Sequence, residues 1–149
     1  MLLRANIRLM EMTEGRYELV RSKEAENKRS QSGLSLDVVD HYSGSERSVK
    51  SLSGGESFQA SLALALGLSD TVQEEAGGIR LDAMFIDEGF GTLSEGALRA
   101  ALNTLLELAA GQRLVGVISH VPELKEKIER QIRIRKQADG GSSAEIILP

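Results

Sequence analysis

The sequence predicts an α/β fold with a partly parallel sheet flanked by helices. Three observations carry this. Leu81 to Asp87 and Arg113 to Ser119 are short, nearly continuous apolar runs, as expected of strands covered on both faces. Between them lies a segment with helical apolar spacing, so the order is strand, helix, strand, which favours a parallel pair. A long Ala- and Leu-rich helical segment precedes both.

The elements follow in order. Leu3, Ile7 and Met10 fall at i, i+4 and i+7, a helical stripe that stops at Gly15. So short a helix is marginal alone, and it reads as the stump of something longer. Arg16 to Arg21 and Leu34 to Val39 alternate apolar and polar residues, which predicts an antiparallel pair. Ser22 to Gly33 between them reads as a mobile loop, and Tyr42 to Lys50 as a polar connection. Ser51 to Glu75 is predicted helical, with Phe58, Leu62, Ala65, Leu66 and Leu68 on a wide apolar face. Ala76-Gly77-Gly78 stops it. Ser94 is placed to cap the next helix, whose apolar residues are Leu98, Leu102, Leu105 and Leu106 and which ends at Gly111. Pro122 and Glu123 suit the first turn of a short helix. Arg130 to Lys136 and Glu145 to Leu148 read as strands around the turn from Ala138 to Ser142.

Composition narrows the function classes. The chain has 149 residues, 41% hydrophobic and 27% charged, the balance of a globular protein with a real core. Aromatics are only 3%, so that core is aliphatic. The net charge of −4 gives no global basic footprint for nucleic acid, so any DNA contact needs a local patch. The densest basic strand is Arg130, Arg133, Arg135 and Lys136, either a solvated edge or a phosphate-facing strip. Without cysteine there is no disulfide and no Cys-based zinc site, which fits a reducing cytoplasm. No apolar run approaches the roughly 20 residues of a membrane span, so no membrane partner is expected.

Three motifs carry chemistry. Ser53-Gly54-Gly55-Glu56 opens the long helix. Its glycines let backbone N–H groups approach an anion, and the helix dipole points at the same place. The alternative is an ordinary turn with Ser53 as a helix cap. Asp87-Glu88 ends an apolar strand at the carboxyl edge of the sheet, where α/β ligands bind. Asp87 can hold Mg²⁺ through its water shell, and Glu88 can take a proton from an attacking water. The alternative is an exposed acidic pair in a turn. His120 follows the second buried strand, which predicts a place beside Asp87-Glu88 and a hydrogen bond to a γ-phosphate oxygen. A lone His more often satisfies a buried carbonyl. No phosphate loop G-x-x-x-x-G-K-[ST] occurs in this sequence.

With these motifs, Val49 to Gln73 (VKSLSGGESFQASLALALGLSDTVQ), Met84 to Ser94 (MFIDEGFGTLS) and Val117 to His120 (VISH), the chain resembles the C-terminal lobe of the ABC-type P-loop ATPase head in SbcC-type, SMC-like double-strand-break repair proteins. The resemblance implies a signature motif, a Walker B strand, a D-loop and an H-loop. It makes residues 1–14 the end of a coiled coil and 15–149 the lobe. It implies ATP and Mg²⁺, bound only with an N-terminal lobe that carries the phosphate loop. Ser53, Gly54, Gly55 and Glu56 would face the ATP of a second head in a homodimer. Asp87, Glu88 and His120 would serve their own head. Ser94 stands where the family commonly has Asp, leaving a hydroxyl rather than an ionic contact across the interface. The implied partners are an SbcD-type nuclease and double-stranded DNA, and the implied activity is ATP hydrolysis within a DNA exonuclease. The competing reading is an SMC-like DNA-clamping scaffold without a nuclease.

Overall fold

The computed structural model describes residues 1–22, 35–75, 77, 81–111, 113–138 and 140–149. They form two compact units, Met1–Ile118 and Ser119–Pro149. Most of the predicted loop from Ser22 to Gly33, with Leu34, and much of the stop at 76–78 lie outside the described residues.

In the first unit α1 (Leu2–Met12) leads into β1 (Tyr17–Arg21), β2 (Leu36–Asp40) and β3 (Ser45–Ser48), an antiparallel sheet in that order. Alternation puts Tyr17, Leu19, Val38 and Asp40 inside. β3 lies in what the sequence marks as a polar connection. Its residues, Ser-Glu-Arg-Ser, have no apolar face because an edge strand open to water needs none.

α1 departs from expectation in which face it buries. Leu3 and Ile7 are 77% and 54% exposed. The buried residues are Ala5, Asn6, Leu9 and Met12, and α1 packs on α2 (Gly54–Glu75). Ala5, Leu9 and Met12 have the same i, i+4, i+7 spacing as the predicted stripe, so periodicity alone does not choose between them. Asn6 is tolerated on the buried face because it is satisfied twice. Its Nδ2 donates to Leu19 O at 2.9 Å and its Oδ1 accepts from Leu19 N at 2.8 Å.

α2 begins at Gly54, later than predicted, because Val49–Ser51 forms a separate 3-10 turn. Leu62 and Leu66 are buried as expected, but Ala65 and Leu68 are exposed. The inward face is set instead by Gln59, Ala60, Ala63 and Gly67. Gln59 Nε2 donates to Met12 O at 3.0 Å and ties α2 to the end of α1.

β4 (Ala83–Asp87) and β5 (Leu114–Ile118) are a parallel pair with Phe85 opposite Gly116 and Asp87 opposite Ile118. Their predicted burial on both faces does not hold. Phe85 is 69% exposed, and Leu114 and Ile118 are also exposed. The register puts Phe85, Leu114 and Ile118 on the same face of the pair, and among the described residues that apolar face stays open. Between them α3 (Glu95–Ala110) buries Leu98, Ala101, Leu102 and Leu105, while Leu106 is exposed. Ser94 caps it as predicted, its Oγ accepting from Ala97 N at 3.4 Å, and Gly111 closes it.

The second unit holds α4 (Pro122–Lys127) and the hairpin of β6 (Gln131–Lys136) and β7 (Ser142–Ile147). Pro122 opens α4 as expected. Gln131 Nε2 donates to Lys125 O and Ile128 O, satisfying carbonyls at the helix end. β7 starts earlier than predicted because Ser142 pairs with Lys136. No helix among the described residues is long and apolar enough to cross a membrane.

Candidate functional site

The turn before α2 is held by a reciprocal pair of hydrogen bonds. Ser53 N donates to Glu56 Oε2 at 2.8 Å, and Glu56 N donates to Ser53 Oγ at 3.3 Å. This is a capping box, and it satisfies donors that a helix start leaves without intrahelical partners. Ser53 is therefore the cap that the plainer reading expected. The same geometry leaves its hydroxyl proton available to an anion.

Glu56 is not a free acid. Its Oε1 accepts from the Tyr17 hydroxyl at 2.6 Å, and Arg47 lies 4.0 Å from Oε2. Burial works against its ionisation. The hydrogen bonds from Tyr17 and Ser53 and the Arg47 charge outweigh that, so its carboxyl titrates below the usual glutamate range. The buried Tyr17 ring lies under the Arg16 guanidinium at 4.7 Å and near that of Arg47 at 5.8 Å. Arg16 in turn bonds both oxygens of Asp40, at 3.0 Å from Nη2 to Oδ2. That contact holds the Asp40 carboxyl below its ordinary range.

The Ser53–Glu56 turn rests on the segment before α3. A Cβ at Gly55 would stand 3.0 Å from Thr92 O, and one at Gly54 3.5 Å from Thr92 Cβ. The tight contact is at Gly55, where the missing side chain lets the turn lie against the backbone of the 3-10 turn Phe90–Thr92, whereas a Cβ at Gly54 would make only an ordinary contact. Ser53, Gly55, Thr92 and Ser94 line an open cleft of about 460 Å³ together with Arg16 and Tyr17.

Asp87 ends β4 and is exposed. Glu88 follows with a left-handed φ of +58°, uncommon outside glycine. Its backbone N–H donates to Ile118 O at 2.9 Å, so the parallel ladder extends past the strand and holds this residue. Gly89 is also left-handed, at φ +95°, and the Phe58 ring of α2 occupies the space a Cβ would need. Phe58 meets the buried Phe90 edge-on, with centroids 4.9 Å apart. One ring of α2 thus braces the turn that carries Glu88.

His120 lies two positions beyond β5, in the second unit, and is exposed. Its assignment to a γ-phosphate is carried by the resemblance. Ser119 Oγ accepts from Val121 N at 3.2 Å and shapes the chain after it. His41, an ordinary loop residue by its sequence context, bonds Glu18 at 3.0 Å.

Among the described residues no group of several acidic or imidazole side chains could hold a metal alone. The oxygen donors of the exposed Asp87 carboxylate are of the kind that suits Mg²⁺ that keeps its waters and takes phosphate as a further ligand. No direct signal in the sequence places Tyr17, Arg16 or Arg47 at the Ser53–Glu56 turn. The S-x-x-E spacing itself is the signal that could have marked Glu56 as a capping residue.

Residues 23–107 match the family model described as SbcC/RAD50-like, Walker B motif. Two curated relatives, each named as the C subunit of the nuclease SbcCD, are 58% identical over 127 residues, one from Staphylococcus saprophyticus subsp. saprophyticus and one from Vibrio cholerae serotype O1. Each alignment covers 85% of this chain but 12% of the relative. The chain therefore spans about an eighth of the length of the curated relatives it matches. A solved structure described as "Structural biochemistry of ATP-driven dimerization and DNA stimulated activation of SMC ATPases" superposes with a TM-score of 0.72 at 14% identity, covering 98% of this chain and 82% of that one. It shares the α/β head fold. The matched segment contains the capped Ser53–Glu56 turn, the strand ending in Asp87 and the left-handed Glu88, and the chain belongs to the SbcC/RAD50-like family.

Proposed function

We propose that the chain is the C-terminal half of the ATPase head of an SbcC-type protein, and that it contributes to ATP hydrolysis across a head dimer that gates DNA-end processing by an SbcD-type nuclease. The observation that carries this is the packing, within one unit, of the signature turn on Thr92 and of Phe58 on the Glu88 turn. The relatives named as nuclease subunits favour this reading over the clamping scaffold.

In this reading Ser53 O–H and the first N–H groups of α2 receive the γ-phosphate of the opposite head. The unfavourable backbone of Glu88 aims its carboxylate at the water that attacks the γ-phosphate in its own head, where it holds the departing proton. Asp87 fixes the waters of Mg²⁺, which neutralises charge on the phosphates when bound. His120 donates to a γ-phosphate oxygen. Ser94 reaches across the interface through its hydroxyl. The exposed stripe of Leu3 and Ile7 continues into a coiled coil, and the open face of β4 and β5 receives the N-terminal lobe. Double-stranded DNA is the substrate of the complex, which works in the cytoplasm.

The test uses the full-length protein with its nuclease partner. Glu88→Gln keeps the hydrogen bonds and loses the base, so hydrolysis falls by roughly 10²–10⁴ while ATP-bound dimers accumulate. Parental turnover by that variant would make Glu88 a structural acid. This 149-residue chain by itself is expected to hydrolyse no ATP, since no phosphate loop occurs in it.

A further inference from the structure

The contacts of Glu56 pose a problem for an anion site. A carboxylate two residues into the helix, hydrogen-bonded to the Ser53 amide, repels a phosphate brought to the same turn. Its charge has to be engaged elsewhere. The structure supplies that engagement from β1 and β3, which are remote in sequence from the turn. Tyr17 gives Glu56 a short 2.6 Å hydrogen bond, and Arg47 approaches both the Glu56 carboxylate and the Tyr17 ring. Tyr17 is itself 3% exposed and cannot swing away without opening the core. Its strand is tied to α1 through the paired bonds between Asn6 and Leu19.

Resting on the signature-turn reading above, we propose that Tyr17 is a positioning residue for ATP-dependent head pairing. Its hydroxyl holds Glu56 on the Ser53 amide and draws the carboxylate's negative charge away from the phosphate-facing side. Ser53 O–H and the N–H groups of Gly54 and Gly55 then meet the anion without competition. Removing the hydroxyl frees one carboxylate oxygen at the mouth of the cleft, which weakens ATP-driven pairing and leaves the chemical step, centred on Glu88, intact.

Tyr17→Phe tests this in the full-length protein, since the ring and its cation stacking remain. Head pairing is followed by light scattering across an ATP series, alongside steady-state hydrolysis and a thermal melt. The half-saturating ATP concentration should rise roughly tenfold, the scale of one lost hydrogen bond to a charged group, with turnover at saturation within about twofold of the parent. Adding Glu56→Gln to Tyr17→Phe removes the freed charge and keeps an acceptor for the Ser53 amide, so it should recover most of that loss. A parental ATP response from Tyr17→Phe would overturn the proposal. So would a double variant no better than Tyr17→Phe, because a merely structural role is not rescued by neutralising Glu56. A parent that shows no ATP-dependent pairing overturns the signature-turn reading beneath the proposal, whereas a responsive parent with an indifferent variant overturns the proposal alone.

Discussion

Gly67 of α2 faces the backbone of Ala5 in α1 so closely that a Cβ added at Gly67 would stand 2.6 Å from the Ala5 nitrogen. The two helices cross at this point because neither residue carries bulk. A backbone atom, unlike the end of a side chain, cannot rotate out of the way. Gly67→Ala therefore sets two effects against each other. Helix propensity gains about 1 kcal/mol, while overpacking costs about 1–3 kcal/mol. The contact lies against main chain, so the upper part of that range applies and the net result is a loss of about 1–2 kcal/mol. Urea denaturation of the chain measures it. A more stable alanine variant would show that α1 can shift freely on α2.

Much of this crossing was beyond the reach of the sequence. The motifs were legible because their chemistry is local: Ser53 and Glu56 sit three residues apart, and Asp87-Glu88 closes an apolar strand. Ser94 was legible as a cap for the same reason. The buried face of α1 was not, because two apolar stripes of equal spacing compete and only packing on α2, β1 and α3 decides between them. Asn6 was invisible as a core residue, since nothing in its neighbourhood announces that Leu19 will satisfy both ends of its amide. The apolar runs of β4 and β5 read as doubly covered, yet their periodicity reports what the strands are able to bury, not what lies beside them among the described residues. Tyr17 and Arg47 join the site through tertiary packing alone.

The Glu88 turn has its own test. Gly89 combines a left-handed backbone with a Phe58 ring where a Cβ would go. Gly89→Ala should lose about 1–2 kcal/mol from the backbone alone, with a further loss from the ring. Phe58→Leu in the same chain removes much of the collision and none of the backbone cost. The double variant should therefore be more stable than the sum of the single changes predicts, by about 0.5–3 kcal/mol. Strict additivity in denaturation midpoints would mean that Phe58 does not brace the turn.

The pH dependence of stability follows from Glu56, Asp40 and Tyr17. The Glu56 and Asp40 carboxyls titrate below their ordinary values of 4.5 and 3.8 when folded. Their contribution is complete above those values and is lost as pH falls through the lower, folded ones. Burial, with the hydrogen bond to Glu56, raises Tyr17 above its ordinary 10.0. Its contribution is present in full below 10.0 and disappears as pH rises through the folded value. Urea midpoints should therefore show a plateau from about pH 5 to pH 9, with an acid and an alkaline fall. Tyr17→Phe should flatten the alkaline fall attributable to this group and shrink the acid one. An unchanged alkaline limb would detach Tyr17 from it.

The basic strand of the second unit gives the last prediction. Ile132 and Ile134 alternate with Arg133 and Arg135 in β6, as the sequence implied, and both isoleucines are exposed. Glu145 of β7 stands opposite Arg133 in register and lies 3.3 Å from Arg135. A carboxylate in that position neutralises part of the strip before any phosphate arrives. An exposed pair of this kind contributes little to stability, typically under about 1 kcal/mol, but it still competes for the guanidinium. The arrangement favours a solvated, charge-protected edge over a DNA-reading strip. Replacing Arg133 and Arg135 together by alanine in the full-length protein should accordingly leave the salt dependence of duplex binding unchanged. Each phosphate contact made by these residues would instead lower the log–log slope by about 0.9. A drop approaching about 2 in a salt titration would assign both arginines to the DNA backbone and show that Glu145 releases them on binding.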